Sequence, residues 1–370
     1  MKIETFSFRV TEHMTNVDCT TYEILPNELW LSIFQYFNTY NIFYTFFKLN
    51  KRIDSLIVNE NNLHVALYND FDYEWCTEIF LQSINSFSQV KSLTLANSRL
   101  LEQFHEIYPI YNFTQLHTLK FLCPVKLTLF HDVLCMTTLK SFSFVYNNAS
   151  NFEAQWKSLC YNQSNLTSTL THLTIKFDRY NTISDSDEMV NTNSKTVVQP
   201  NCIERLIIRY LSNKSRITIL PLFGQTQFLT LGLFCDYPLP LMTTKPFILN
   251  NCIKMELDLY KDITYQQIES ILKLVPHIKY LSIIQEDYPV QEAGRHWQYL
   301  LENICKNVLK FRLLIRFTKG YGSPEYHLSY WNQDTFRTLY WFERKTKTKY
   351  LDHAFPGFVV NFDIRKKNSI

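Results

Sequence analysis

Apolar residues recur along most of the chain with a period of about 27 residues. Each copy is a six-residue phrase whose first, fourth and sixth positions are apolar. Nine copies begin at Val90, Leu116, Leu139, Leu170, Ile203, Phe228, Cys252, Ile278 and Val308. The fourth and sixth residues alternate with more variable ones, which predicts a strand with one buried face.

The residues between the copies often carry a helical pattern. In the stretch 265–275 the apolar residues fall on one helical stripe, Thr264 is a candidate N-cap, and Pro276 ends the helix. Strands that alternate with helices at this period predict an α/β solenoid, with parallel strands on a concave face and helices outside. The alternative is an ordinary α/β domain with leucine-rich strands, which does not explain the period.

The phrase resembles the first half of the leucine-rich repeat signature, L-x-x-L-x-L-x-x-N/C-x-L, over roughly residues 70–317. The Asn/Cys position is filled variously, by Ser98 and Pro124 among others, so the asparagine ladder is mostly missing. The resemblance implies an irregular horseshoe of about nine repeats, which we assign to residues 61–317. Within it the polar segment 179–201 is predicted to be a mobile loop.

Residues 20–60 do not fit the period and carry three short helical patterns, preceded by an N-terminal extension, 1–19. In the first helix, which begins at Pro26, the apolar side chains sweep over roughly 220° and the polar ones cluster within roughly 60°. The next two helices are also rich in apolar residues, and so small a module cannot bury them all. The excess predicts a docked partner, and packing on the first repeat is the alternative.

This module resembles the F-box, roughly L-P-x-E-[IL]-x-x-x-I-[FL]-x-[YF]-L. Its first half is matched by Leu25, Pro26, Glu28, Leu29, Ile33, Phe34, Tyr36 and Phe37. Its second half departs from the family at Asn41 and Ile53. The resemblance implies docking onto the Skp-type adaptor of a cullin-RING ubiquitin ligase, while the repeats select a protein substrate. It places the adaptor contact at Leu25, Pro26, Leu29, Ile33 and Phe37. The alternative is a leucine-rich-repeat interaction scaffold without ubiquitin-ligase association.

The strand residues beside the buried positions face the concave side of such an array. They show a basic and aromatic bias at His172, Lys176, Arg205, Arg209, Lys254 and Tyr280. We expect these residues to bind the target protein, through an acidic or phosphorylated peptide held by arginine pairs. A solvated face without a particular ligand is the alternative.

After Phe317 the chain becomes aromatic and basic, with tryptophans at 331 and 341. We assign residues 318–370 to a β-rich cap whose strands cover the exposed edge of the last repeat. A solvated capping surface explains its lysines and arginines better than contact with nucleic acid does.

Composition narrows the function further. A formal charge of +3 over 370 residues is too balanced for a nucleic-acid-binding chain. Nine scattered cysteines without a C-x-x-C pair indicate neither a disulfide framework nor a zinc site. The six glycines form no phosphate-binding loop, and His131 with Cys135 lacks a third ligand or orienting group. We therefore expect a non-enzymatic protein without cofactor or metal. Because no long apolar run is present, we expect no membrane association and a cytoplasmic or nuclear location.

Overall fold

A computed structural model describes most of the chain between Leu25 and Asp363. The described residues are 25–34, 36–37, 39–59, 63–83, 86–125, 129, 132–133, 136–146, 169–177, 202–212, 220–234, 247–259, 263–286, 293–316, 336, 338–344, 346–351 and 357–363. The predicted extension, 1–19, and the predicted mobile loop, 179–201, lie outside these residues.

Twelve strands of the described chain form one sheet. They are β1 (Leu63–Leu67), β2 (Val90–Leu95), β3 (Thr118–Pro124), β4 (Ser141–Tyr146), β5 (His172–Phe177), β6 (Arg205–Ser212), β7 (Phe228–Phe234), β8 (Lys254–Leu259), β9 (Tyr280–Glu286), β10 (Lys310–Arg316), β11 (Lys347–Leu351) and β12 (Gly357–Asp363). Strands β1 to β10 lie side by side in chain order, and each neighbouring pair is parallel. The predicted α/β array of parallel strands is therefore confirmed.

Helices and short 3₁₀ turns connect many of the strands. The α-helices of the described residues are α1 (Asn27–Phe34), α2 (Thr39–Phe46), α3 (Lys51–Val58), α4 (Asp70–Trp75), α5 (Ser98–Ile107), α6 (Tyr265–Leu272), α7 (Ala293–Asn303) and α8 (Leu339–Glu343), together with a single helical turn, Leu81–Ser83. The chain continues from α4 into a π-helical turn, Cys76–Phe80. Thr264 caps α6 as predicted, because its side chain accepts the Gln267 N–H while the Gln267 side chain accepts the Thr264 N–H at 2.6 Å.

The strand register aligns equivalent positions of successive copies of the repeat phrase. The fourth positions pair across neighbouring strands, as Leu93 does with Leu119 and Leu119 with Phe142. Since side chains alternate along a strand, the fourth and sixth positions share one face, and they are buried there. The third and fifth positions consequently lie on the opposite face, which we call the open face of the sheet. This face carries the predicted target-binding residues.

The sixth copy of the phrase, predicted to start at Phe228, starts two residues earlier in the structure. Leu206, a fourth-position residue, pairs with Leu229 rather than with Leu231. The copy therefore starts at Thr226, which is fully buried and donates its Oγ1 hydroxyl to the Ile203 carbonyl at 3.4 Å. A threonine can occupy this apolar position because its hydroxyl finds a backbone acceptor there. The third position of this copy is Phe228, on the open face.

Strand β1 is a tenth parallel strand that the repeat pattern did not identify. It pairs with β2 through Val65 and Leu93, one period before the first copy. Its phrase has apolar residues at every second position, Leu63, Val65 and Leu67, all buried. The strand joins the N-terminal helices to the repeats.

The last parallel strand, β10, is covered by the C-terminal segment. Strand β12 pairs antiparallel with β10 over seven residues, from Lys310 to Arg316, and β11 pairs with β12. Beneath them Trp341 packs 6.1 Å from the ring of Phe311 and 6.4 Å from that of Phe362. Strands thus lie where the sequence predicted them, and they remove the free edge of β10.

Candidate protein-interaction surfaces

Helix α1 packs into the N-terminal module through Trp30 and Phe34, which are both buried. The two rings meet Phe46 of α2, with centroids 5.5 and 5.7 Å away. Pro26 precedes the helix, and its carbonyl accepts the N–H of Leu29 at 3.1 Å. The buried residues are four apart, so they form one stripe of the helix, and the adjacent stripe faces elsewhere.

The predicted adaptor-contact residues occupy that adjacent stripe. Leu25, Leu29, Ile33 and Phe37 follow one another at intervals of four residues, and none of them is buried. The side chains of Leu29 and Phe37 are 49% and 39% exposed. Pro26 is exposed as well. We call these five residues the α1 stripe. The neighbouring residues Tyr36, Tyr44 and Leu49 are also exposed, but they were not among the predicted adaptor-contact residues.

A hydrogen-bonded connection holds the start of α1 against α3. The Arg52 guanidinium donates to the Asn27 side-chain oxygen at 2.8 Å and to the Leu25 carbonyl. Helix α3 itself is capped by Asn50, whose side chain accepts the Ile53 N–H at 2.9 Å. The backbone that carries the α1 stripe is therefore fixed by residues outside the stripe.

The module is packed on the first repeat. Phe43 of α2 contacts Trp75 and Phe80 at ring distances of 5.9 and 5.2 Å. The Thr39 hydroxyl accepts the N–H of His64 in the edge strand β1 at 2.9 Å. These residues differ from the α1 stripe, where Leu25 and Ile33 are half-buried against the core and Leu29 and Phe37 remain exposed.

The open face brings four of the predicted target-binding residues together. His172 lies opposite Arg205, and Lys176 lies opposite Arg209, on the neighbouring strands β5 and β6. All four side chains are exposed. We call this group the basic patch. Its two ends are separated by four residues, or about 13 Å along a strand.

Lys254 and Tyr280 lie farther along the open face, on β8 and β9. The Lys254 ammonium forms an ion pair with Glu256 at 2.8 Å. The hydrogen bond from Lys254 is the largest cause that lowers the pKa of the Glu256 carboxyl, and the charge of Arg205 lowers it further. Lys254 is therefore neutralised within its own strand, so it does not extend the basic patch.

A bulge in β6 separates Arg209 from the regular ladder. The pairing with β7 skips from Ile208 to Leu211, and Tyr210 has a left-handed φ of 60°. The Lys176 ammonium lies 5.6 Å from the centre of the Tyr210 ring. A left-handed conformation is unusual for a tyrosine, and bulges often occur where a strand presents side chains for binding.

The described part of the chain contains no group of three potential metal ligands, and none of its helices is long and apolar enough to span a membrane. His131 and Cys135 lie outside the described residues, while an Asp132 carboxylate oxygen lies 3.4 Å from the His105 Nε2 atom.

No family model and no curated protein matches the chain. Among solved structures it is similar to the leucine-rich repeat-containing protein LegL7 from Legionella pneumophila, with 16% identity and a TM-score of 0.31. The match covers 66% of this chain and 87% of that one. A likeness at this TM-score establishes neither fold nor function, so the repeat architecture rests on the strand order and register.

Proposed function

We propose that the protein is a non-enzymatic substrate-recognition adaptor of an SCF-type ubiquitin ligase. Its F-box-like helices dock a Skp-type adaptor and, through it, a cullin-RING ligase, while the repeats bind an unidentified protein substrate. The observation that carries the proposal is the α1 stripe, in which Leu29 and Phe37 remain exposed although Trp30 and Phe34 of the same module are buried. The ubiquitin chemistry belongs to other subunits, so the chain itself needs no cofactor.

The distribution of exposed apolar side chains supports this assignment. Of the eleven large hydrophobic residues that are exposed in the described chain, five lie between residues 29 and 49. Scattered exposed apolar residues are ordinary on a protein surface, whereas a concentration on one small module is typical of a binding site. A helix that offers residues at intervals of four can bury them in a partner's groove.

A repeat-based interaction scaffold without ligase association is the second function. Its support is the open face, where ten adjacent parallel strands form one long surface. Both functions use this face to bind a protein. They differ in whether the α1 stripe has a partner.

Co-purification with a Skp-type adaptor distinguishes the two functions. We expect the full chain to form a complex at micromolar concentration and Leu29→Asp to weaken it by about tenfold or more, since a charge would be buried in an apolar contact. Leu122→Asp is the matched control, because Leu122 is also 49% exposed but lies on β3. Its complex should be unchanged.

Circular dichroism of both variants checks that they are folded. If the wild-type chain does not associate with the adaptor, the ligase assignment is wrong and the scaffold function remains. Equal weakening by Leu29→Asp and Leu122→Asp would show that the α1 stripe is not the contact.

A further inference from the structure

The basic patch concentrates positive charge in the middle of the sheet. Its residues occupy the third and seventh positions of β5 and β6, and the fifth positions between them are Thr174 and Ile207. Like charges that face each other across neighbouring strands destabilise a sheet. Such an arrangement gains stability when a negatively charged group binds over it.

The neighbouring strands on the open face bring no carboxylate directly beside the patch. On β4, Ser141 lies opposite His172 and Val145 opposite Lys176. On β7, Phe228 lies opposite Arg205. One strand farther on, β8 carries Glu256, whose carboxyl is paired with Lys254 at 2.8 Å and is also affected by the charge of Arg205.

Arg209 is the most available cation of the patch. No described side chain forms an ion pair or hydrogen bond with it, and its side chain is exposed. The adjacent backbone on β7 belongs to Gly232, where a Cβ would lie 3.4 Å from the Arg209 Cα. Since glycine has no side chain, nothing at that position covers the guanidinium. The bulge at Tyr210 follows Arg209 directly.

His172 and Lys176 of the patch have weak partners. The His172 Nδ1 atom is 2.8 Å from the Thr171 hydroxyl, and the Lys176 ammonium lies over the Tyr210 ring. The contact with the Tyr210 ring leaves the lysine charged. The patch thus offers two exposed guanidinium groups, which bind carboxylates in a bidentate manner, and a lysine beside them.

We propose that the basic patch binds an extended, carboxylate-rich segment of the protein that the repeats select. This inference rests on the part of the proposed function in which the repeats bind a protein. Acidic residues spaced over about 13 Å of extended chain would reach both ends of the patch. The bound segment would lie over β5 and β6. This region is narrower than the predicted target-binding surface, which extended from His172 on β5 to Tyr280 on β9.

Charge distribution favours an acidic peptide over nucleic acid. A nucleic acid requires a basic track that follows several phosphates. Here the positive region is two strands wide, and β8, two strands farther on, carries Glu256 and Asp258 on the open face. These carboxylates would repel a phosphate backbone that continued along the sheet.

The test measures binding of fluorescein-labelled octaglutamate by fluorescence anisotropy at low ionic strength. We expect binding that weakens as salt is added, and a loss of about tenfold or more for Arg205→Glu/Arg209→Glu. The matched control is Lys310→Glu/Arg312→Glu, which reverses two exposed cations on the same face of β10. It should bind the peptide as the wild type does.

Three outcomes would overturn the inference: no binding of octaglutamate, an equal loss in both double variants, or tighter binding of a short DNA duplex that the Arg205→Glu/Arg209→Glu variant abolishes. Binding of a phosphoserine peptide alone would overturn the carboxylate assignment. The measurement needs no Skp-type adaptor, so its result is independent of ligase docking. The Arg205→Glu/Arg209→Glu variant should still co-purify with that adaptor if the ligase function is correct.

Discussion

At the scale of single residues, burial separates the cysteines into inert and accessible groups. Burial raises the pKa of the Cys252 and Cys305 thiols to about 12, and it raises the pKa of Cys76 as well. Cys202, in contrast, is exposed. The thiolate is the reactive form, so buried thiols with a raised pKa react slowly in the folded protein.

We predict that iodoacetamide alkylates Cys202 in the native protein at neutral pH, while Cys76, Cys252 and Cys305 react only after unfolding. Mass spectrometry of tryptic peptides measures the modification at each site. Cys202→Ser provides the control, because it should remove the native modification from that peptide without changing the other three. Rapid native alkylation of Cys252 would contradict the burial of the seventh repeat.

At the scale of one repeat, the register of β7 determines which of two adjacent residues, Phe228 or Leu229, is buried in the core. Leu229 is 2% exposed, whereas Phe228 lies on the open face between Arg205 and Lys254. A carboxylate at position 229 would be buried without a partner. At position 228 it would lie opposite the Arg205 guanidinium, and cross-strand pairs of opposite charge are favourable.

We therefore predict that Leu229→Glu lowers the free energy of unfolding by about 3 kcal/mol or more, while Phe228→Glu changes it by less than about 1 kcal/mol. Urea denaturation followed by circular dichroism measures both. The register that the sequence suggested, with Phe228 buried at the first position, predicts the opposite order. A larger effect at Phe228 would restore that register.

This repeat also shows how far the sequence could specify the fold. The alternation of apolar residues predicted eight of the nine copies in the correct frame, because one buried face repeats at every strand. The frame of the sixth copy was wrong since Thr226 is polar in the sequence. Its hydroxyl becomes compatible with burial only through the Ile203 carbonyl, a partner that lies just before the neighbouring strand β6.

At the candidate sites, the sequence predicted which positions share a face, but it predicted neither how exposed each one is nor how the charged residues combine. The α1 stripe followed from helical spacing, which is a local property. The ion pair of Lys254 with Glu256 and the bulge at Tyr210 depend on side-chain geometry and strand pairing. The sequence pattern alone therefore could not distinguish Lys254 from the cations of the basic patch.

At the scale of the whole molecule, the N-terminal module and the repeats share one apolar core. Trp75 joins them, because its ring lies 5.1 Å from Tyr40, 5.9 Å from Phe43 and 5.5 Å from Phe80. Sequence analysis assigned residues 20–60 to a separate module, since its apolar pattern differs from that of the repeats. The shared core means that the backbone under the α1 stripe depends on packing against the first repeat.

This dependence can be measured by hydrogen exchange. We predict that Trp75→Ala lowers the protection of backbone amides in α2, α3 and β1 but not in β8 to β10, because repeats in a solenoid contact mainly their neighbours. The matched control is Trp297→Ala, which removes a buried tryptophan 5.7 Å from Phe311 at the other end of the sheet. It should lower protection in α7, β9 and β10 and leave α2 and α3 unchanged. Unchanged protection of α2 and α3 in Trp75→Ala would mean that the module folds without the repeats, and docking through the α1 stripe would then be independent of them.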